Sequence, residues 1–324
     1  MEVIDKFEAS PARPEKAVLL NYVKIARPDH WIKNIFMLPG VALGFLLTPV
    51  PIEPIVIAKV IAAFVLLCLT ASANYTINEY LDSEFDRHHP LKQSRPGAQG
   101  LLDRRLVTLQ YLILVAASLG GASVLGRDFS LTTALLLIMG LFYNVPPFRT
   151  KDRAYLDVLS ESVNNPIRLL LGWFVVVGNW LPPSSVLIAY WMGGAFLMAM
   201  KRYSEYRRIG DPAVAGLYRR SFKQYTEHSL LLSSLFYANT CCFFLGIFLI
   251  KYRIEFLLTF PFISYLFAWY MRIALERDSA AAAPEKLFRQ RRLLLFVAAL
   301  FVLFFFLASV DLPILRVLVN PLRY

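Results

Sequence analysis

The stretch that decides the fold is residues 56–86, which read VIAKVIAAFVLLCLTASANYTINEYLDSEFD. Its first 23 residues contain one charged side chain, Lys59, before the acids begin at Glu79. A run of about 20 apolar residues is long enough to cross the hydrocarbon core of a bilayer. Backbone groups in lipid must be paired within the segment, so the run is helical. The sequence therefore predicts a membrane helix that ends in a cluster of acids.

The composition extends this prediction to the whole chain. Of its 324 residues 57% are hydrophobic and 18% are charged, and the mean hydropathy is +0.51. These values exclude a soluble protein. The net charge of +11 could indicate a nucleic-acid partner, but no basic arm or RNA-binding motif accompanies it, so we expect no nucleic acid. The three cysteines lie in apolar stretches and support neither a disulfide framework nor a thiolate metal site.

Apolar windows of membrane-spanning length recur along the chain and predict an all-α polytopic membrane protein of about nine transmembrane helices, in one domain over residues 1–324. The predicted spans are Trp31–Pro49, Val56–Tyr80, Leu106–Leu125, Leu131–Val145, Tyr155–Val177, Ser185–Met200, Leu230–Ile250, Ile254–Leu275 and Leu293–Val310.

The distribution of basic residues predicts the orientation of the chain. Lys and Arg collect on the cytoplasmic side of membrane proteins. With a cytoplasmic N-terminal segment at residues 1–30, most of the 34 bases fall on that side, together with two long polar segments at about 82–105 and 201–229. The exceptions are Lys59, Arg127, Lys251, Arg253, Arg316 and Arg323 on the opposite side and Arg168 within a span. We expect the C-terminus outside an inner, or cell, membrane.

The acids that close the second span form the first candidate site. Asn78, Asp82 and Asp86 recur at i, i+4 and i+8 and so share one helix face. Mg²⁺ favours a few carboxylates together with phosphate oxygens of a substrate, which predicts a magnesium site for a diphosphate. His89, Lys92 and Arg95 follow and could donate to phosphate oxygens. A solvated helix end whose acids pair with these bases is the alternative.

A second polar stripe enters the fifth span. Asp157, Glu161 and Arg168 lie at i, i+4 and i+11. Ionisable groups inside a membrane face a bundle interior or a water-filled cavity, so the stripe predicts a substrate-binding wall. The alternative is a Glu161–Arg168 network that only holds helices together. Pro166 is expected to kink this helix.

Three further clusters supply candidate residues. Lys201 and Glu205 lie at i, i+4 where the sixth span ends, either as a second half of the site or as a surface ion pair. Tyr143, Arg149 and Lys151 follow the fourth span as possible phosphate contacts. Lys33 belongs to the segment RPDHWIKN, residues 27–34, whose Trp and bases are also typical of a membrane interface.

These motifs resemble the UbiA superfamily of intramembrane prenyltransferases. NEYLDSEFD, residues 78–86, is similar to its first aspartate-rich motif, with Glu79 in the place of the first Asp, and Lys92 and Arg95 match the basic tail of that motif. The resemblance implies helices around a central lipid-accessible cavity, a cytoplasmic cap from the loops after helices two and six, and Mg²⁺-dependent transfer. It assigns Asn78, Asp82 and Asp86 to the metal.

The chain departs from that pattern at the second motif. Where family members that cleave a prenyl diphosphate usually have another aspartate cluster, this chain has KRYSE at residues 201–205, so that a base replaces one acid. Together with RPDHWIKN and DRHHPLKQSRP, this looks like the decaprenyl-phosphate phosphoribosyltransferase branch. The resemblance then implies catalytic roles for Lys201 and Glu205 beside the first motif.

Three hypotheses follow for the activity. The first is transfer of phosphoribosyl from phosphoribosyl pyrophosphate, a soluble phosphorylated donor, to a polyprenyl phosphate. The second is transfer of a polyprenyl chain from its diphosphate to an aromatic or other small acceptor. The third is transport, because charges and a Pro-interrupted helix inside a bundle also mark solute pathways. The cytoplasmic clustering of acids beside phosphate-binding bases favours the first two.

Overall fold

The computed structural model describes residues 15–88, 92–276, 279, 281 and 290–318, and this part of the chain is helical with no β-strand. The α-helices are α1 Glu15–Ala26, α2 Leu38–Leu47, α3 Pro54–Leu81, α4 Ser83–Asp86, α5 Arg104–Leu125, α6 Arg127–Asn144, α7 Leu156–Ser162, α8 Asn164–Val177, α9 Ser184–Ile209, α10 Pro212–Tyr218, α11 Glu227–Tyr252, α12 Phe260–Leu275 and α13 Arg291–Ser309. Short 3₁₀ turns lie at Pro28–Met37, Thr150–Asp152, Arg220–Lys223, Ile254–Thr259 and Pro313–Leu318.

The all-α membrane architecture is confirmed, whereas the count of nine spans is not. Within the described residues, seven helical segments are long and apolar enough to cross a bilayer. They are Leu19–Leu47, Pro54–Leu81, Arg104–Leu125, Ser184–Ile209, Glu227–Tyr252, Ile254–Leu275 and Arg291–Ser309. The fourth and fifth predicted spans correspond to α6 and to the pair α7 and α8, which fall short by length or composition.

The fifth predicted span is two helices rather than one kinked helix. α7 ends at Ser162, Val163 separates the two, and α8 carries Pro166 in its first turn. Proline lacks a backbone N–H and its ring conflicts with the carbonyl four residues earlier, which is Ser162. The chain therefore breaks before Pro166, and the polar stripe is divided between the two helices α7 and α8.

The sixth predicted span ends too early. α9 continues for nine residues beyond Met200, so Lys201 and Glu205 stand on a helix and not in the polar segment predicted from residue 201. Straight-chain residues such as Lys, Arg and Glu are good helix formers, and Gly210 closes α9 with a positive φ of 73°. The cap proper is α10 with the following 3₁₀ turn, up to the start of α11.

Close packing of α2 on α8 fixes one wall of the bundle. A Cβ at Gly40 would overlap the carbonyl oxygen of Leu169, and a Cβ at Gly172 would overlap that of Met37. Small residues let membrane helices approach to backbone contact. The buried apolar core continues from this contact through Leu171 and Trp173. This closely packed pair of helices lines one side of the cavity described next.

Candidate active site

A cavity of about 1080 Å³ opens inside the bundle, with an apolar part and a polar end. Val297 and Phe301 of α13 and Phe267 of α12 contribute to the apolar part. Of the predicted site residues, all but Asp157 line this cavity. They are Lys33, Asn78, Asp82, Asp86, Lys92, Arg95, Tyr143, Arg149, Lys151, Glu161, Arg168, Lys201 and Glu205.

The first set of charges in the cavity, here called the aspartate group, consists of Asp82 and Asp86 with Arg95, Arg149 and Lys151. Arg95 Nη1 donates to Asp86 Oδ2 at 2.7 Å. Arg149 Nη2 lies 3.1 Å from Asp82 Oδ1, and Lys151 donates to the same oxygen. Asp82 follows the end of α3 and Asp86 lies in α4, while their basic partners come from two other segments of the chain.

The ends of helices set this geometry. α3 ends at Leu81, and Asp82 leaves the helix with φ −94° and ψ 0° before α4 begins. The Asp86 N–H still donates to the Asp82 carbonyl, so the two residues stay one helical turn apart. Both side chains line the cavity, as their spacing predicts. Glu79 does not line the cavity. It is 3% exposed and accepts from Arg27 Nη2 at 2.5 Å, tying the N-terminal segment to α3.

Asn144, which the sequence interpretation did not select, connects Asn78 to the aspartate group. Its side-chain oxygen accepts from Asn78 Nδ2 and, at 2.9 Å, from Lys151 Nζ. Asn144 is the last residue of α6, beside Tyr143, and is 3% exposed. Because the Asn78 side chain donates through Nδ2, its amide oxygen Oδ1 remains as the atom that could bind a metal.

Burial and charge compete at Asp82. Burial favours the neutral acid, but the positive charges of Lys151 and Arg149 outweigh it and hold the pKa of Asp82 below its ordinary value. Burial lowers the pKa of Lys151 to about 8, although Asp82 opposes the shift. Near neutral pH the carboxylate is ionised, which a metal ligand requires.

A second set of charges, here called the glutamate group, surrounds Glu205. It consists of Lys92, Lys201, Arg202 and Arg219 with that acid. Arg202 Nη1 lies 3.0 Å from Glu205 Oε2, and Lys92 Nζ lies 4.0 Å from Glu205 Oε1. Lys201 lines the cavity and forms no hydrogen bond or ion pair with the residues that the structure describes. Burial lowers the pKa of Lys92 to about 8, although Glu205 opposes the shift.

Asp157, which the sequence pattern assigns to a substrate-binding wall, does not line the cavity. Its side chain is fully buried outside the cavity lining and accepts from Arg202 Nε at 3.1 Å, Ser221 Oγ at 3.2 Å and Tyr225 Oη at 2.7 Å. Its carboxylate is occupied because α7 turns it toward α9 and the cap. Asp157 holds basic residues of the glutamate group in place and does not itself face the cavity.

Two further basic side chains line the cavity, Arg168 from α8 and Lys33 from the 3₁₀ turn Pro28–Met37. Arg168 donates to Asn34 Oδ1 and Asn165 Oδ1, both at 3.3 Å, so the alternative Glu161–Arg168 network does not form. Lys33 Nζ lies 3.0 Å from His30 Nδ1. Arg168 and Lys33 thus add positive charge to the cavity lining.

The donor set of the aspartate group fits Mg²⁺. The described residues contain no cluster of three or more His, Cys, Asp or Glu side chains that would form a complete protein cage. Asp82 binds its basic partners through Oδ1 and Asp86 through Oδ2, so each carboxylate keeps one oxygen that accepts no bond from the described residues. Two carboxylate oxygens and an amide oxygen suit a cation that completes its shell with water and substrate phosphates.

Sequence reasoning missed Arg202, Arg219 and Tyr218 as site residues. Arg202 and Arg219 sit among other bases near a membrane boundary, where positive-inside topology already explains a base, and Tyr218 is the neighbour of Arg219 in the chain. Lys92 donates to the Tyr218 hydroxyl, joining the segment after α4 to the cap. Only the convergence of the three residues in space distinguishes the two arginines from the other bases of these segments. The predicted phosphate donor His89 lies outside the described residues.

Comparison with known proteins places the chain among membrane transferases. Residues 36–291 match the profile of the UbiA prenyltransferase family. The chain is 33% identical over 218 residues, 66% of its length and 69% of the relative's, to the decaprenyl-phosphate phosphoribosyltransferase of Mycobacterium tuberculosis. It is 32% identical over 229 residues, 69% of its length and 68% of the relative's, to the enzyme of the same name from Mycolicibacterium smegmatis. The fold is similar to that of a UbiA homologue from Archaeoglobus fulgidus bound to DMAPP and Mg²⁺, with a TM-score of 0.66 and 20% identity, covering 90% of this chain and 100% of that one.

Proposed function

The chain belongs to the UbiA prenyltransferase family and is a membrane transferase, and we propose that it transfers a 5-phosphoribosyl group from phosphoribosyl pyrophosphate to a polyprenyl phosphate. The observation that carries the proposal is the division of the cavity bases into the aspartate group and the glutamate group. A phosphoribosyl donor bears anionic groups at both ends of its ribose. An allylic diphosphate bears an anionic group at one end only.

The charge balance of the cavity supports the same substrates. Its lining residues include eleven Lys or Arg and five Asp or Glu. A surplus of cations in a low-dielectric cavity is stabilised by anionic ligands. A donor with three phosphoryl groups and a lipid phosphate supply more negative charge than a prenyl diphosphate and an uncharged acceptor. The relatives named decaprenyl-phosphate phosphoribosyltransferase agree with this preference.

The aspartate group would hold the pyrophosphate of the donor. Arg95, Arg149 and Lys151 are placed to donate to its oxygens, and Asn78, Asp82 and Asp86 would hold Mg²⁺ against it. Magnesium bound there would offset the charge that develops on departing pyrophosphate. The C1–O bond to pyrophosphate breaks, and an oxygen of the lipid phosphate forms the new bond to C1. The lipid phosphate is already an anion and needs no strong general base.

The lipid substrate would occupy the remaining part of the cavity. Val297, Phe301 and Phe267 offer an apolar surface for the first prenyl units. Arg168 and Lys33 line the cavity from elements other than those of the aspartate and glutamate groups, and they would receive the lipid phosphate. Holding the two reactants together in one water-poor space lowers the entropic part of the barrier.

The experiment uses detergent-solubilised protein, Mg²⁺, a polyprenyl phosphate and phosphoribosyl pyrophosphate labelled in the ribose. We expect label to enter the lipid fraction and one pyrophosphate to be released for each lipid modified. A parallel reaction offers a polyprenyl diphosphate with an aromatic acceptor. Turnover in that reaction, with no labelled lipid in the first, would establish prenyl transfer instead.

A further inference from the structure

Arg219 has an incompletely satisfied side chain at the edge of the cavity. It lies between α10 and the 3₁₀ turn of the cap, and its side chain is 14% exposed. Its Nε is buried and has no hydrogen-bond partner among the described residues. Its Nη1 lies 3.4 Å from the Tyr143 hydroxyl and 3.7 Å from Asp157 Oδ2. A guanidinium can donate five hydrogen bonds, so most of this capacity is unused.

The nearby acids do not complete the bonding of Arg219. Asp157 already accepts closer bonds from Arg202, Ser221 and Tyr225. Glu205 lies within electrostatic range but is paired with Arg202 at 3.0 Å. Arg219 therefore shares a carboxylate that is occupied by other donors. A buried donor left without an acceptor is unfavourable, and it indicates a place where a ligand can bind.

The surroundings of Arg219 select an anion. Lys92, Lys201 and Arg202 complete the basic side of the glutamate group, so that with Arg219 four bases face two acids, Glu205 and the buried Asp157. A planar guanidinium matches two oxygens of a phosphoryl group, which lysine cannot do. The position therefore suits a terminal phosphate with several free oxygens.

We propose that Arg219 binds the 5-phosphate of the donor, while the aspartate group holds its pyrophosphate, and that Asp157 is the positioning residue for Arg219. This subsite rests on the proposed function. Arg219 belongs to the cap, whereas Lys33 and Arg168, which would meet the lipid phosphate, lie on segments that enter the membrane helices. The two phosphates thus meet different elements of the fold.

The test measures binding directly, with ribose 5-phosphate and Mg²⁺-pyrophosphate as separate probes in titration calorimetry of the solubilised full chain. Arg219→Gln should weaken ribose 5-phosphate binding by at least about tenfold and leave Mg²⁺-pyrophosphate binding within about twofold. Arg219→Lys keeps the charge but not the fork, and should give a smaller loss for ribose 5-phosphate. Arg104→Gln, at an exposed arginine outside the cavity, is the matched control and should change neither.

Asp157→Asn tests the positioning role, because the amide keeps the size of the side chain and removes its charge. It should raise the KM for the donor with little change in the KM for the lipid, and the Arg219→Gln change added to it should have less than its full effect. If Arg219→Gln or Asp157→Asn does not fold, Arg219→Lys carries the comparison of the two probes.

The subsite would be overturned if Arg219→Gln weakened the binding of both probes equally, weakened the binding of neither, or raised the KM for the polyprenyl phosphate alone. It would also be overturned if wild-type protein that turns over the donor did not bind ribose 5-phosphate. Wild-type protein that neither binds ribose 5-phosphate nor turns over phosphoribosyl pyrophosphate would instead overturn the proposed function. The two failures are therefore distinguishable.

Discussion

At the scale of single residues, the oxygens of Asp82 and Asp86 that accept no bond from the described chain are the groups that a metal requires. Asp82→Asn or Asp86→Asn replaces a charged ligand by a neutral one of the same size. We expect kcat to fall by at least about 100-fold, because transition-state charge is no longer offset. The measurement is pyrophosphate release with saturating donor and lipid.

Glu84→Gln provides the control for these variants. Glu84 lies in α4 between the two aspartates, but its side chain is exposed and does not line the cavity. Its replacement should leave kcat within about twofold. Full activity in both aspartate variants would show that the aspartate group does not bind the metal.

A second residue-scale prediction concerns Lys92, whose buried ammonium has a pKa of about 8. Glu205 and Asp86 favour its charged form, and Arg95 and Arg219 oppose it. The charge is present below pH 8 and is lost as the pH rises through that value. The kcat/KM for the donor, which reports the free enzyme, should therefore fall between about pH 8 and 9.

Lys92→Arg checks the assignment, because a guanidinium stays charged throughout this range. The alkaline fall in kcat/KM should become shallower or move to higher pH. An alkaline limb identical to that of the wild-type protein would exclude Lys92 as its source.

The sequence predicted the part of the site that one helix presents. Asn78, Asp82 and Asp86 follow from helical periodicity alone, and all three line the cavity. Arg219 and Asn144 could not be found in this way, because their importance depends on contacts between distant segments. Asp157 does not line the cavity, because periodicity places a residue on a helix face without showing what that face contacts.

At the scale of elements, the contact between α2 and α8 leads to a stability prediction. Gly40→Ala or Gly172→Ala inserts a methyl group against a backbone carbonyl, which the rigid helices cannot avoid. Overpacking of this kind costs about 1–3 kcal/mol. The unfolding temperature in detergent should fall for each variant. Gly120→Ala is the control, since nothing lies within 4 Å of its added Cβ and alanine is the better helix former.

An unchanged unfolding temperature in both the Gly40→Ala and the Gly172→Ala variant would mean that α2 and α8 separate readily.

The boundaries of the helices show where sequence patterns differ from the structure. Hydropathy predicted the end of α9 where polar residues begin, but the backbone hydrogen bonds of a helix continue through Lys, Arg and Glu. Hydropathy also joined α7 to α8, although a proline in the first turn of α8 favours a break.

At the scale of the whole molecule, the positive-inside bias predicts which loops face the cytoplasm. Trp180, 77% exposed between α8 and α9, should lie outside, and Glu84 inside. A membrane-impermeant maleimide applied to intact cells should label Trp180→Cys, and should label Glu84→Cys only after permeabilisation. The unsubstituted chain, whose cysteines lie within α3 and α11, measures the background. The opposite pattern would invert the proposed topology.

The ion pairs of the aspartate group have a consequence for how the enzyme tolerates a chelator. Arg95, Arg149 and Lys151 already serve as counter-ions to Asp82 and Asp86. Binding of the proposed donor and magnesium would then be an exchange of ionic partners, in which the bases turn to phosphate and the acids to the metal. Chelation should accordingly stop turnover while leaving the unfolding temperature nearly unchanged. In this protein the metal would bind together with the substrate and would not stabilise the fold.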